Sequence, residues 1–484
     1  MSSPFDEAKY NALLKGLEIT EVKLSKVTSE DGKLRIEAEH FQKKYAKLKE
    51  KLSHHNCARL AELVSKTIQT GHTPSMKNEH FYGGNIKFIK TDNLRDNEIK
   101  NPFSHYLSEL GNSEIKRTEL QEDDIITTII GATYDVIARS CIIHKENLPA
   151  NINQNIALIR PDKKKIVPEY LNVYLNSKYG KMYLEYLSRQ MEQVNLNCEE
   201  VGNVVVPLFT PDFQQKIESL VKSAHAKLAE SKSLYAQAED TLLSELGLKD
   251  WQPKNESVSV KKFSDFASSG RLDAEYYQKK YDELFEKLNH FKCNRLGDMG
   301  KFCNGSLISD ELYVEKAARA YIRIKELSYK EPINDDAVVY IDDSFVSQNE
   351  TTVCENDFVI ATIGNTIGKV NAIPKKYAGS FISNNTSRFR LNDKKSIYFY
   401  YEIMLRSIVV QSQIEREFTQ TAQPKISNKS LANILIPILS REIQEQIAKL
   451  IQKSFALRAE SKLLLDDAKA SVEREIEKGK DAVK

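Results

Sequence analysis

Gln190 and Gln193 recur 230 residues later as Gln420 and Gln423, followed by Asn195 and Asn197 in the first stretch and by Lys425 and Ser427 in the second. Amides, hydroxyls and ammonium groups can meet base edges and phosphates, which is the chemistry of nucleic-acid reading. A polar loop kept in two copies suits contact with a backbone, or holding itself in shape, better than telling bases apart. Other stretches carry the same groups. Thr70, Gly71, His72, Thr73 and Ser75 make a Pro-stiffened turn with Lys77 nearby, and Lys87, Lys90, Thr91, Asn93 and Arg95 alternate on and after an expected strand. The second half offers Asn304, Ser306, Arg319, Tyr321, Arg323 and Lys325. Asn153–Gln154–Asn155 and its counterpart Ser383–Asn384–Asn385 either contact nucleic acid or cap a turn with their side chains. Residue by residue, the alternative for all of these is a solvated strand face.

Other chemistry lacks its residues. The six cysteines (57, 141, 198, 293, 303, 354) form no CxxC pair and no Cys/His grouping at zinc spacing, so no metal is expected. The turns GATYD (131–135) and GNTIGKV (364–370) lack the spacing to a GK[ST] triplet that a phosphate loop needs. Asn101-Pro102-Phe103 lacks the second proline of an adenine methyltransferase loop, and no carboxylate–lysine cluster of a metal nuclease stands at matching places in both halves. The expectation is a protein without catalysis of its own.

The elements that must position these residues are duplicated. Residues 35–60 and 271–296, 236 apart, are identical at 15 of 26 positions without a gap and read as helical. Downstream the offset shrinks: DDIITTIIG (123–131) matches NDFVIATIG (356–364), and VGNVVVPL (201–208) matches LANILIPI (431–438). The middles between them are mixed strand and helix and differ strongly. After Pro207 and Pro437 each half enters a long amphipathic helix. Phe213, Ile217, Leu220, Ala224, Lys227, Ser231, Leu234 and Ala238 follow alternating steps of four and three, and so do Ile443, Ile447, Leu450, Ser454, Leu457, Ser461, Leu464 and Ala468. Segment 249–262 reads as the linker between halves.

Composition sets the outer bounds. The chain of 484 residues is 41% hydrophobic and 29% charged with a formal net charge of +2, so a nucleic-acid surface would have to come from local segregation of charge. No apolar run approaches a membrane span, and the start, MSSPFDEAKYN, lacks the form of a secretory signal, so a cytoplasmic protein is expected. Two similar domains on one chain suit a ligand with two similar halves, and duplex DNA is the commonest.

The whole chain resembles the specificity subunit of type I restriction–modification systems. The resemblance is carried by the RLDAEYYQKKY-type helix start, TGHTPSMKNEHFYGGNIKFIKTDNL (70–94), YIRIKEL (321–327), the NDFVIATIG strand, the Q-x-x-Q loop and the V/I-P step into the long helix. His72 and Lys87–Phe88 depart from the family's opening motif, and the second half has NGSLIS (304–309) in place of its TPS element.

The resemblance implies an α+β fold in which two mixed α/β target recognition domains are joined by two long antiparallel coiled-coil helices, with an internal pseudo-twofold. Residues 1–61 would lead into the first half, 62–206 and 296–436 would be the recognition domains, 207–248 and 437–484 the spacer helices, and 249–295 the linker with the repeated helix. Each recognition domain would read one half of an asymmetric bipartite DNA site, while the helices set the spacer and dock two methyltransferase subunits. Translocase–nuclease subunits would complete the complex. S-adenosylmethionine, ATP and Mg would belong to the partners, none to this chain. The competing readings are a coiled-coil scaffold that binds only proteins, or the specificity module of another DNA-modifying defence system.

Overall fold

The computed structural model describes residues 6–16, 27, 38–95, 97–100, 102–131, 133, 136–190, 194–253, 256, 258–345, 350–393, 395, 397–418 and 423–479. It divides into two compact units, Met1–Ala226 with Glu460–Lys484, and Lys227–Ala459. Both mix helices with mainly antiparallel sheets, an α+β construction.

The repeated opening segment is helical only in its first part. In the first unit Lys43–Ser53 is an α-helix whose Tyr45, Leu48 and Leu52 share one buried face. The chain then turns into a strand, Cys57–Arg59, which pairs antiparallel with Val205–Pro207 just before the long helix. The second unit repeats this with the helix Lys279–Leu288 and the strand Cys293–Arg295 against Leu435–Pro437. In both units the repeated segment closes the fold at the foot of the long helix.

The centre of the first unit is a four-stranded sheet in the order Val64–Thr70, Ile156–Pro161, Ile125–Thr128, Ser140–Ile142. Its inner strands are apolar on both faces because both are covered. Ile125, Ala157 and Ile159 join one core with the helices Pro168–Asn176 and Lys178–Leu187, while Ile126, Ile156 and Leu158 join another under the smaller sheet. That smaller sheet runs Ala150–Ile152, Tyr82–Ile89, Tyr106–Leu107.

The second unit has the same plan. Its central sheet runs Gly300–Asn304, Thr386–Leu391, Phe358–Ala361, Val370–Ala372, with Phe358 and Ile360 on one face and Val359 and Ala361 on the other. Its second sheet is wider by one strand: Tyr313–Val314, Val339–Ile341, Arg319–Ile322, Phe381–Ile382.

The long helices are Pro211–Glu245 and Arg441–Lys478, 35 and 38 residues, each on the order of 50 Å at ~1.5 Å per residue. Much of the expected stripe is buried as read: Ile217, Ala224, Ser231 and Ala238, then Ile447, Ser454, Leu457, Ser461 and Ala468. At two positions burial sits one residue further along, at Val221 and Ile451, while Leu220 and Leu450 are half-buried. The serines in the stripe are bonded: Ser231 and Ser454 meet Oγ to Oγ at 3.1 Å, and Ser461 Oγ donates to the Ala224 carbonyl at 2.7 Å. In the first unit Ile217, Val221 and Ala224 share a core with Ala468, Val472 and Ile476, and Ser461 joins them through its bond to Ala224. In the second, Ala238, Leu242 and Leu246 share one with Ile447, Ala448 and Ile451. Among the described residues no helix is long and apolar enough to cross a membrane.

Candidate nucleic-acid interface

The pairing registers bring the polar loops of each unit to one end of its central sheet. In the first unit Thr70, the last residue of its strand, lies opposite Ala157, and Thr128, the last of another, lies opposite Ile156. The TGHTPS stretch, the Asn153–Asn155 turn and the turn after Thr128 therefore leave the sheet together. The glutamine loop joins them, since Val194 and Asn195 pair with Gly131 and Ile130, and the Leu196 amide donates to the Ile129 carbonyl at 2.8 Å. The second unit does the same. Asn304 lies opposite Ser387 and Ala361 opposite Thr386, while the Gly364 amide donates to Pro424 at 2.9 Å and the Ile426 amide to Thr362 at 3.0 Å.

The smaller sheet delivers its loops to the same place. The Asn153 amide donates to the Ile89 carbonyl at 3.2 Å and the Ser383 amide to that of Ile322 at 3.0 Å, which brings Lys90 and Arg323 to the sheet end.

Several of the candidate residues are engaged in the fold itself. A Cβ on Gly71 would stand 2.0 Å from the Ile152 carbonyl oxygen, and one on Gly305 2.1 Å from that of Ser383. Both glycines let a strand end cross a neighbouring turn, so Gly71 is a backbone crossing. Asn93 is buried, accepting from the Lys90 amide at 3.0 Å and donating to the Lys100 and Pro102 carbonyls at 2.9 and 3.1 Å. Tyr321 is 1% exposed, with its hydroxyl donating to the Ser306 carbonyl at 2.7 Å. Asn197 and Ser427 are N-caps of short helices, accepting from the Glu200 and Ser430 amides at 2.8 and 3.0 Å. Arg323 is held by Glu326 at 2.7 Å and by the Ala337 carbonyl at 3.0 Å.

Other cations of the smaller sheets are engaged within their own unit. Lys87 Nζ donates to the Glu146 carbonyl at 2.6 Å, Arg95 to that of Leu94 at 2.8 Å, and Arg319 to that of Phe345 at 2.6 Å. Lys90 Nζ lies 2.9 Å from His105 Nδ1. Burial, and then the Lys90 ammonium, hold the His105 ring below its usual pKa, so it meets Lys90 as a neutral acceptor. Thr91 is half-buried and Lys325 exposed.

What remains on the surface at the sheet ends is a short set of flexible polar groups. In the first unit His72, Ser75, Lys77 and Asn195 are exposed, Thr70 is half-buried, and Thr73 Oγ1 donates to Gln154 Oε1 at 2.5 Å. In the second, Asn304, Asn384, Asn385, Gln423 and Lys425 are exposed and Ser306 is half-buried. Gln193 and Gln420 lie outside the described residues, as does the side chain of Gln190. Sequence reasoning passed over Asn428, whose Nδ2 donates to Asn304 Oδ1 at 2.8 Å and ties the glutamine loop to the strand end. Its place directly after Ser427 was the available signal.

Among the described residues no three His, Cys, Asp or Glu side chains group so as to hold a metal. Donors and acceptors on loops that differ between the units, carried on a sheet that does not, can read polar edges and phosphates.

Residues 290–463 match a family model described as the type I restriction modification DNA specificity domain. The chain is 29% identical over 141 residues to the type I restriction enzyme EcoBI specificity subunit of Escherichia coli, a match spanning 29% of each chain. It is 24% identical over 402 residues to the type I restriction enzyme MjaIX specificity subunit of Methanocaldococcus jannaschii, spanning 80% of this chain and 84% of that one. The crystal structure of a type-I restriction-modification system S subunit from M. genitalium aligns with 86% of this chain and 95% of its own at 12% identity and a TM-score of 0.43.

Proposed function

We propose that this chain, an HsdS-like specificity subunit of the type I restriction–modification class, reads a bipartite duplex DNA site, one half with each variable domain. The observation that carries this is the convergence of four polar loops on the same end of the central sheet in each unit. A scaffold that binds only proteins has no use for two copies of a platform that gathers polar loops while the middles of the two halves differ. On this reading His72, Ser75, Lys77 and Asn195 face one half-site, and Asn304, Asn384, Asn385 and Lys425 the other. Phosphate contacts set the register and base-edge contacts the specificity.

The long helices set the spacer between the half-sites. The partners are two adenine methyltransferase subunits, joined in the full complex by restriction–translocase subunits. S-adenosylmethionine, ATP and Mg act in those partners, and this chain does no bond-making itself. The complex works in the cytoplasm, where the DNA is.

The test is to assay the purified chain alone and with a cognate methyltransferase subunit. Alone it should neither methylate nor cut DNA. With the partner it should methylate adenine in one bipartite sequence, and binding to that sequence should exceed binding to random duplex by at least ~10³-fold at physiological salt. Methyl transfer by the isolated chain, or equal binding to all duplexes, contradicts the proposal.

A further inference from the structure

Leu307 stands among polar groups at the sheet end of the second unit, and it is 77% exposed. A single leucine on a surface is ordinary. This one sits on a backbone that is fixed on both sides of it. Its neighbour Ile308 is 3% exposed and turns into a small core with Tyr321, Ile341 and Phe381. The buried Tyr321 hydroxyl bridges the chain across Leu307, donating to the Ser306 carbonyl at 2.7 Å and accepting from the Ile308 amide at 3.3 Å. Tyr313 donates to the Ile308 carbonyl at 3.3 Å, and the Ser306 amide donates to the Ile382 carbonyl at 2.9 Å. An apolar side chain presented by so constrained a loop gives up little freedom when a ligand covers it.

The first unit builds the same loop around a different residue. Counted from the crossing glycines Gly71 and Gly305, Pro74 matches Ile308, and both are buried. The Tyr82 hydroxyl donates to the Pro74 carbonyl at 2.6 Å, as that of Tyr313 does to Ile308. At the place of Leu307 stands Thr73, half-buried, with its hydroxyl turned to Gln154. The frame of the loop is common to both units and the residue it presents is not. On a surface that reads two different half-sites, such a residue belongs with the reading rather than with the frame.

The surroundings of Leu307 say which groove and which base. Asn304, Asn384 and Asn385 are exposed at the same sheet end. Side-chain amides pair with N6 and N7 of adenine in the major groove, and there the thymine of the same base pair presents its C5-methyl group to apolar side chains. We propose that Leu307 reads a thymine of the second half-site through that methyl group, beside amides that read adenine. The proposal rests on the DNA-reading function above and adds to it one base and the chemical group by which it is recognised.

The test is equilibrium binding of the full chain, in complex with its cognate methyltransferase subunit, to duplexes carrying the site found by methylation mapping. Uracil, which lacks the methyl group, replaces each thymine of the second half-site in turn. One replacement should weaken binding by the unaltered chain about fourfold, the worth of one apolar carbon removed from water. Leu307→Ala should bind the thymine and uracil duplexes alike at that position, with an unchanged melting midpoint, because its partner group is gone. Uracil in the first half-site should affect both chains equally. A uracil penalty that survives Leu307→Ala, or no penalty at any thymine of the second half-site, overturns the proposal. So does an equal loss on thymine and uracil duplexes when Leu307 is cut to alanine, which marks a side chain wedged between base steps. A complex that binds every duplex equally overturns the reading beneath it as well.

Discussion

Helix Pro168–Asn176 of the first unit and helix Tyr398–Arg406 of the second occupy the same place in the duplicated fold, and each turns two polar residues four apart into the core. In the first unit these are Asn172 and Asn176, whose Nδ2 groups donate to Asn97 Oδ1 at 2.7 and 3.1 Å, while Asn176 also donates to the Ser140 carbonyl at 2.9 Å. In the second they are Glu402 and Arg406, paired at 2.6 Å with 3% and 2% of their side chains exposed. Arg406 donates to the carbonyls of Val370 and Glu331, both at 3.0 Å, and Glu402 accepts from the Ala372 amide at 3.1 Å. Both pairs fasten the same two things to the helix, the edge strand of the central sheet and the variable insertion. One uses neutral amides and the other an ion pair. The platform is thus kept while the fastening changes with the insertion it must hold.

The largest effect is expected where the fastening is charged. Arg406→Met leaves Glu402 buried without its partner, and unfolding of the second unit should lose about 3–5 kcal/mol. Adding Glu402→Leu should restore most of it. Trp251, the only tryptophan, packs on that unit's core, so its fluorescence under urea reports this transition. A double variant as weak as the single would break the comparison.

His144 separates the units by pH. Its ring stacks on His225 at 3.7 Å, and His225 in turn meets Glu146 at 2.5 Å. Burial, and then the His225 ring, push the His144 pKa down to about 4, with Glu146 and Asp123 opposing. A depressed histidine binds fewer protons folded than unfolded, so its contribution is present above ~6.5 and is lost as pH falls toward 4. The loss should be on the order of 2 kcal/mol in the first unit, and the second has Pro374 at the matching position. Hydrogen exchange of Ile125–Thr128 against Phe358–Ala361 between pH 7 and 4 reads it, and His144→Phe should flatten the curve. Equal pH responses in both strands would contradict it.

A smaller effect is expected at Asn176→Ala, about 1–2 kcal/mol, because a neutral hydrogen bond is lost rather than a counter-ion. Exchange protection at Ser140 should fall, while Val370 in the other unit is unchanged. A loss matching Arg406→Met would remove the distinction between amide and ionic fastening.

The duplication was legible from identities and shifting offsets, and so were the strands that run toward the Gly131 and Gly364 turns and the onset of each long helix. Burial within those elements was not. Tyr321 reads as an alternating strand residue, yet its strand is covered on both faces, as Phe88 at the matching place is. Asn197 and Ser427 carry groups that suit DNA and helix capping equally, and only the following helix decides. The helix stripe was one residue short at Leu220 and Leu450, because neighbours such as Val221 and Leu220 differ only by their turn about the axis. Glu402 and Arg406 have the spacing of a surface ion pair, and nothing local says that an insertion will cover them.

The central claim is that each variable domain reads its own half-site from its own sheet end. The most direct measurement is genome-wide adenine-methylation mapping in cells that carry the methyltransferase with a chain whose residues 62–205 have been exchanged for those of a relative. The account predicts that one half of the methylated sequence changes while the other half is untouched. If both halves change together, the two domains read DNA jointly and the account is wrong.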